Sequence, residues 1–182
     1  VNSTQTYHYQ PGVVPETTSP WNVTPQHSGA AAYENYNKEG AIYAQQGKNK
    51  EALEAFKKAI EIDPNSADAY CNLGNVYGQM GQQEKSIDSY KKAIEIDPRH
   101  SLTYYNLGKT YGSLNRIEEA IESCKNAIEY DPHFSEAYDS LAQLYFFKGK
   151  FDLAVQYSDE AVRLGHQADQ KFLDLLKPYR KK

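Results

Sequence analysis

Apolar residues along most of the chain recur with the spacing of amphipathic helices. Within residues 69–81 the apolar and small positions at i, i+3, i+4 and i+7 are Tyr70, Leu73, Gly74 and Tyr77. Within residues 83–96 Ile87, Tyr90, Ala93 and Ile94, at i, i+3, i+6 and i+7, also share one helix face. Gly81 separates the two stretches, and Pro98 ends the second because proline disfavours a helical conformation in the residue before it. The pattern therefore predicts two helices joined by a short turn.

This two-helix pattern recurs along the chain with a period of 34 residues. Pro64, Pro98 and Pro132 are 34 residues apart, and each follows an aspartate near the end of a similar segment. The register defines four units: 33–66, 67–100, 101–134 and 135–168. The fourth unit has Gly165 and His166 where the others have Asp-Pro, so we expect the repeats to end there.

The repeat resembles the tetratricopeptide repeat family, whose 34-residue pattern combines aromatic residues, Leu-Gly, alanines and a proline. The second unit matches that pattern at Tyr70, Leu73, Gly74, Tyr77, Tyr90, Ala93 and Pro98, and departs from it at Ser86. The resemblance implies an all-α fold: a right-handed solenoid of four helix-turn-helix repeats in residues 29–166. Residues 167–182 are expected to form a capping helix and a basic tail. In that helix Phe172, Leu175 and Leu176 should cover the last repeat.

No motif for catalysis, cofactor binding or metal binding is found in the sequence. The chain lacks GxGxxG, HExxH, CxxC and GxSxG patterns, so we predict a non-catalytic protein without cofactor or metal. His100, His133 and His166 fall in the turns between units, too far apart to share one ion. Cys71 and Cys124 are interpreted as free thiols. The resemblance instead implies protein–protein interaction.

The resemblance also implies a concave groove, lined by the first helix of each repeat, that binds an extended peptide. The corresponding residues here are Asn37, Cys71, Asn75, Gly78, Tyr105, Lys109, Gly112, Asp139, Gln143 and Phe146. Gly78 and Gly112 leave room for a bulky ligand side chain, and Asn75 and Gln143 can exchange hydrogen bonds with a peptide backbone. Tyr105 and Phe146 could instead serve local packing. Lys109 is the single cation among these residues. The set therefore differs from that of the subfamily that binds the C-terminal carboxylate of heat-shock chaperones with a ring of Lys, Asn and Arg.

Residues 1–28 have a different composition and are predicted to form an extended N-terminal arm. They contain four prolines, five of the seven threonines of the chain and one charged residue, Glu16. Such a segment cannot bury enough apolar surface to order itself, so it needs a binding surface. Its candidate anchors are Tyr7, Tyr9, Val13, Val14 and Trp21, the last being the single tryptophan of the chain. Three hypotheses stay open: binding to the groove of another copy, binding to its own groove, or a linker.

Charge and the start of the chain suggest where the protein acts. The net charge of −4 without a basic cluster argues against nucleic acid, and no apolar run is long enough for a membrane span. Asn2 and Asn22 match the N-glycosylation pattern, and the chain starts at Val1 rather than Met, as a processed chain would. We therefore expect an extracellular or cell-surface protein, with periplasm or cytoplasm as alternatives.

Two functions compete on sequence grounds, and a third class, a regulatory module for an enzyme encoded elsewhere, also stays open. The first is self-assembly: the arm of one copy lies in the groove of the next, giving a head-to-tail oligomer or fibre. The second is a monomeric adaptor that binds an unrelated peptide in a secretion, envelope or chaperone complex.

Overall fold

Nine α-helices follow one another in residues 25–180, the part of the chain that the computed structural model describes, with side chains from Gly29 onward. They are α1 (Pro25–Gln45), α2 (Asn49–Ile62), α3 (Ala67–Gln79), α4 (Gln83–Ile96), α5 (Ser101–Ser113), α6 (Ile117–Tyr130), α7 (Ser135–Phe147), α8 (Phe151–Arg163) and α9 (Gln170–Leu176). A 3₁₀ turn, Lys177–Tyr179, follows α9. These residues contain no strand, and the predicted all-α solenoid is confirmed.

The helices form two layers. Each odd-numbered helix from α1 to α7 packs against the helix that follows it, which completes one repeat. The helices α1, α3, α5 and α7 also contact one another in sequence, whereas α2, α4, α6 and α8 make no contact with one another among the described residues. The more closely spaced odd-numbered helices therefore form the inner, concave layer of the solenoid.

The second helix of each of the first three repeats ends in the same way. Asp63, Asp97 and Asp131 leave the helix in an extended conformation, as expected for residues that precede proline. Each aspartate side chain accepts a hydrogen bond of 3.0 Å from the backbone N–H two residues later. The short polar side chain thus stabilises the turn that leads into the next repeat.

The turn inside each repeat depends on a residue with positive φ. Gly47, Gly81 and Gly149 have φ of 71°, 73° and 71°, which suits glycine because it has no Cβ. Asn115 occupies the equivalent place in the third repeat with φ of 58°, and asparagine is one of the few other residues that adopts this conformation. Four equivalent turns therefore keep the repeats in register.

A glycine in the inner helix lets an aromatic ring of the outer helix approach its backbone. A Cβ on Gly40 would lie 2.8 Å from the ring of Phe56, and a Cβ on Gly74 would lie 2.6 Å from the ring of Tyr90. Real Cβ atoms do not approach a neighbour this closely, so only glycine fits. Phe56 and Tyr90 are 1% and 3% exposed, and their rings fill the space between the layers.

Two sequence predictions at the ends of the array need correction. The arm was expected to extend to residue 28, but α1 begins at Pro25, a position where proline fits because the first helical N–H has no partner in the helix. In α9, Leu176 is buried and Phe172 packs with it, but Leu175 is 55% exposed and does not cover the last repeat. Leu175 instead lines an open cavity beside α7.

We predict opposite effects for the same substitution at two helical glycines. Gly74→Ala forces a methyl group against Tyr90, whose hydroxyl is held by a hydrogen bond to Asn75, and should lower the free energy of unfolding by about 1–3 kcal/mol. The methyl group of Gly112→Ala meets no atom nearer than 3.9 Å. This substitution should raise the free energy of unfolding by up to about 1 kcal/mol, because alanine has a higher helix propensity than glycine. Urea unfolding followed by circular dichroism measures both, and equal shifts in one direction would contradict the close contact at Gly74.

We also predict that both cysteines are unreactive in the folded protein. Cys71 and Cys124 are free and are 2% and 0% exposed. Burial raises the pKa of both thiols, that of Cys124 to about 12, so the reactive thiolate is scarce at pH 8. A chromogenic disulfide reagent should therefore titrate fewer than about 0.2 thiols in native protein and two in denaturant. Rapid reaction of one thiol without denaturant would show that this part of the core is open.

Candidate functional site

The inner layer of the solenoid forms a groove with two cavities. The smaller one, of about 250 Å³, lies between α1 and α3, and the larger one, of about 530 Å³, lies between α5 and α7. The smaller cavity is lined by Ala41, Ala44, Gln45, Phe56, Asn72, Asn75, Val76 and Gln79. The two differ in size because the ring of Phe56 lies at the floor of the first, whereas the second has Gly108 and Cys124 at its floor.

Asparagine side chains connect the inner helices between these cavities. Asn72 donates to Asn37 at 3.2 Å and thus links α3 to α1. Asn75 Oδ1 accepts from the Tyr90 hydroxyl at 2.7 Å and from Asn106 Nδ2 at 3.0 Å, which links α3 to α5. Both lone pairs of the Asn75 oxygen are used inside the protein, so only its amide NH₂ is available to a ligand. The predicted acceptor role of Asn75 is therefore wrong.

The larger cavity brings together half of the groove residues predicted from the sequence. Tyr105, Lys109 and Gly112 line it from α5, and Asp139 and Gln143 line it from α7. Its remaining lining residues are Gly108, Asn115, Ile117, Cys124, Ser140, Leu144 and Phe147. The cavity therefore has an apolar floor and a polar rim, which is the usual composition of a ligand pocket in a protein.

The aromatic and cationic groups of the rim support one another. The ring of Tyr105 packs against Phe134 with 4.8 Å between ring centroids, and Lys109 Nζ lies 5.3 Å from the centroid of the Tyr105 ring. Burial of the Tyr105 hydroxyl raises its pKa above the ordinary value for tyrosine. Tyr105 thus serves local packing and also forms a wall of the cavity.

The acidic side of the rim is fixed by two partners. Asp139 Oδ2 accepts a hydrogen bond of 2.6 Å from Gln143 Nε2 and lies 3.5 Å from His166 Nε2. The Asp139 side chain is 14% exposed, so its carboxylate is oriented rather than freely solvated. Lys109 and Asp139 have opposite charges, so the two charged residues that line the cavity give it no net charge.

A third, open cavity of about 670 Å³ lies where α7 meets α9. Phe146 lines it and packs against Phe151, Phe172 and Tyr179. Phe146 therefore belongs to the contact between the last repeat and its cap, and it lines neither of the two groove cavities. Phe147, one residue later, lines both this cavity and the larger groove cavity and is 69% exposed.

The other predicted site residues lie elsewhere. Cys71 is 2% exposed in a core cluster with Tyr90 and Leu107, so its predicted contact with a ligand is wrong. Gly78 is half-buried and lines neither groove cavity. Tyr7, Tyr9, Val13, Val14 and Trp21, with the acceptor asparagines Asn2 and Asn22, lie outside the described residues.

His100, one of the turn histidines, contacts two inner helices. His100 Nε2 lies 3.0 Å from Asp68 Oδ1, and its Nδ1 contacts Thr103 at 2.5 Å, so it joins the second repeat to the third.

Within residues 25–180 no group of three or more histidine, cysteine or acidic residues is placed to hold a metal ion. In the same region, no helix combines the length and the apolar character needed to cross a membrane.

Sequence reasoning missed the other seven lining residues of the larger cavity, which are Gly108, Asn115, Ile117, Cys124, Ser140, Leu144 and Phe147. A signal was present for the cavity itself. One position of the outer helix, at intervals of 34 residues, is occupied in turn by Phe56, Tyr90, Cys124 and Ser158. The aromatic side chain of the first two repeats is therefore absent from the third. For Phe147 the periodicity gave no signal, since its exposure depends on where α9 lies.

Comparison with known proteins identifies both the repeat and the fold. Tetratricopeptide repeat profiles match residues 67–100, 101–134 and 135–164, and a TPR repeat profile matches residues 40–81. The crystal structure of MamA is 32% identical, with 72% of this chain and 77% of that chain covered and a TM-score of 0.67. The structure of pilF from Pseudomonas aeruginosa is 27% identical, with coverages of 84% and 71% and a TM-score of 0.77.

A more distant structure shows the same fold with a ligand. The first TPR of Spaghetti (RPAP3), bound to the HSP90 peptide SRMEEVD, is 20% identical, with coverages of 65% and 94% and a TM-score of 0.62. At that identity the similarity concerns the fold alone. No sequence among the curated proteins matches the chain. Since the matched profiles together span residues 40–164, more than half of the chain, the protein belongs to the tetratricopeptide repeat family.

Proposed function

We propose that the chain is a non-catalytic protein–protein interaction module whose groove binds residues 1–24 of a neighbouring copy. The interaction class follows from the repeat family and its fold. The identity of the peptide is our proposal, as is its consequence, a head-to-tail oligomer or extracellular fibre. We use the term arm for residues 1–24 from here on, because α1 begins at Pro25.

The observation that carries the proposal is the open cavity between α5 and α7, with Phe147 69% exposed at its edge. An exposed phenylalanine beside a cavity of about 530 Å³ is a surface that gains from contact with another apolar group. The rim has one cation, Lys109, and one anion, Asp139, and so favours a neutral ligand.

The arm has the properties that this cavity favours. Its one charged residue is Glu16, and it carries three aromatic residues, Tyr7, Tyr9 and Trp21. Aromatic side chains in pockets commonly dominate the binding energy of an interface. At about 3.1 Å per residue, an extended peptide of this length reaches on the order of 75 Å, enough to enter a neighbouring molecule.

The position of the arm explains why such a contact would extend into a chain of molecules. The arm precedes the first repeat, whereas the larger cavity lies between the third and fourth repeats. A contact between these two different surfaces leaves one arm and one cavity free at the ends of every oligomer. Heterologous contacts of this kind form open filaments unless the rotation closes a ring.

Assembly tests the proposal directly. The full chain should form large oligomers or fibres in light scattering and negative-stain microscopy, and the chain lacking residues 1–24 should be monomeric. Because the contact joins neutral surfaces, raising salt from 0.05 to 0.5 M should change the assembly midpoint by less than about threefold. Strong weakening by salt would point to a charged peptide and hence to the adaptor function.

A peptide control separates specific binding from loss of stability. A synthetic peptide of residues 1–24 should bind the truncated chain in fluorescence anisotropy, whereas a peptide of the same composition in scrambled order should not. Monomers from both chains, together with no peptide binding, would exclude self-assembly. That result would leave a monomeric adaptor for an unrelated peptide.

A further inference from the structure

The four repeats differ at one buried position of the outer helix. That position faces the small residue of the inner helix, and its four occupants in chain order are Phe56, Tyr90, Cys124 and Ser158. In the third repeat a Cβ on Gly108 would lie 2.7 Å from Cys124 Sγ, so the small residue is retained although the ring is absent. The third repeat therefore keeps the close approach of the two helices, with a small sulfur-bearing side chain where the first two repeats have a ring.

Cys124, which occupies the ring position in the third repeat, lines the larger groove cavity. Gly108, Cys124 and Gly112 line its base, and Tyr105, Leu144 and Phe147 are apolar groups around it. The cavity measures about 530 Å³, against about 250 Å³ for the one whose floor contains Phe56. The larger volume therefore lies where the repeat pattern lacks its own aromatic side chain.

We propose that this cavity is a subsite for one aromatic side chain, and that its occupant is Trp21 of a second copy. This inference rests on the proposed function, which assigns the arm to the groove. It adds which side chain anchors the arm, which cavity holds that side chain, and that the contact joins two copies. Trp21 supplies the largest apolar surface that one side chain can bury, together with a single N–H donor.

The rim of the cavity fits the polar end of an indole. A buried indole N–H needs an acceptor, and Asp139 lies on the cavity wall, where its Oδ1 can accept while Oδ2 is held by Gln143. Lys109 lies over the adjacent Tyr105 ring and can approach a second aromatic face in the same way. Phe147 provides an exposed ring at the edge of the cavity.

The length of chain before α1 prevents Trp21 from reaching its own cavity. Trp21 precedes Pro25 by four residues, which span at most about 14 Å. In register, Lys109 and Gln143 correspond to Ala41, which lies 16 residues beyond Pro25. That separation is about 24 Å along α1 at 1.5 Å per residue.

The sideways displacement adds to this distance. The cavity begins at α5, two inner helices away from α1, and neighbouring helices are about 8 Å or more apart. The combined separation is on the order of 29 Å, about twice the reach of the four residues. Trp21 can therefore occupy only the cavity of another copy.

Because Trp21 is the single tryptophan, its fluorescence in the full-length chain reports directly on this contact. As protein concentration rises and scattering reports assembly, the emission should shift to shorter wavelength and quenching by acrylamide should fall at least threefold. An emission shift that is independent of concentration would overturn exchange between copies.

Two substitutions fill the cavity from different sides. Gly112→Leu adds a side chain where the nearest atom to a Cβ is 3.9 Å away, and Cys124→Tyr restores the ring that Tyr90 provides one repeat earlier. Each should raise the concentration needed for assembly at least tenfold and leave the Trp21 emission solvent-like. Gly78→Leu is the matched control, since Gly78 is equivalent to Gly112 but lies outside the cavity, and it should change assembly less than threefold.

The outcomes distinguish the subsite from the proposed function. Circular dichroism melts show which variants are folded, and Gly112→Leu tests the pocket even if Cys124→Tyr fails to fold. Normal assembly and emission shift in a folded filled variant overturn the subsite, while the truncation result for residues 1–24 still supports the proposed function. Normal assembly of Trp21→Ala overturns the choice of occupant. Assembly of the truncated chain overturns both proposals.

Discussion

The contact between a glycine of the inner helix and an aromatic ring of the outer helix sets the geometry of the solenoid. In the second repeat the ring of Tyr90 lies so close to Gly74 that no Cβ could be accommodated. The same residue donates its hydroxyl hydrogen to Asn75, whose oxygen also accepts from Asn106 of the next repeat. One buried ring thus fixes the distance between two layers and the register between two repeats.

This dependence explains why the groove is not uniform along its length. Where the ring is present, at Phe56 and Tyr90, it fills the space between inner and outer helices. Where Cys124 replaces it, the backbone retains the close approach at Gly108, and the groove floor deepens. In the fourth repeat Ser158 replaces the ring and Ala142 replaces the glycine, so both partners change together. A change in core packing therefore creates the surface feature that the proposed ligand uses.

The sequence predicted features that depend on local chemistry. The turns at Gly81 and Pro98 and the 34-residue register follow from backbone restrictions that need no knowledge of neighbours. The sharing of one cavity by Tyr105, Lys109 and Asp139 also followed from register, because equivalent helix positions face the same side of a repeat array.

Side-chain exposure at the edges of the groove could not be predicted in the same way. Cys71 occupies a repeat position that is expected to face the groove. In the structure it packs in a core cluster with Tyr90 and Leu107 from neighbouring helices. Phe146 and Phe147 are adjacent, and the position of α9 decides which one is covered. These outcomes depend on contacts between residues that are distant in sequence, whereas periodicity describes only one helix at a time.

The chemistry of the arm suits a groove built only from helices among the described residues. Such a groove offers no strand edge, so a bound peptide gains little from a ladder of main-chain hydrogen bonds. Pro20, next to Trp21, lacks the N–H group that a ladder would need, and recognition in the proposed contact would therefore depend on side chains. In an extended peptide, neighbouring side chains point to opposite sides. Trp21 in the cavity would direct Asn22 towards solvent, so a glycan on Asn22 and binding through Trp21 are sterically compatible.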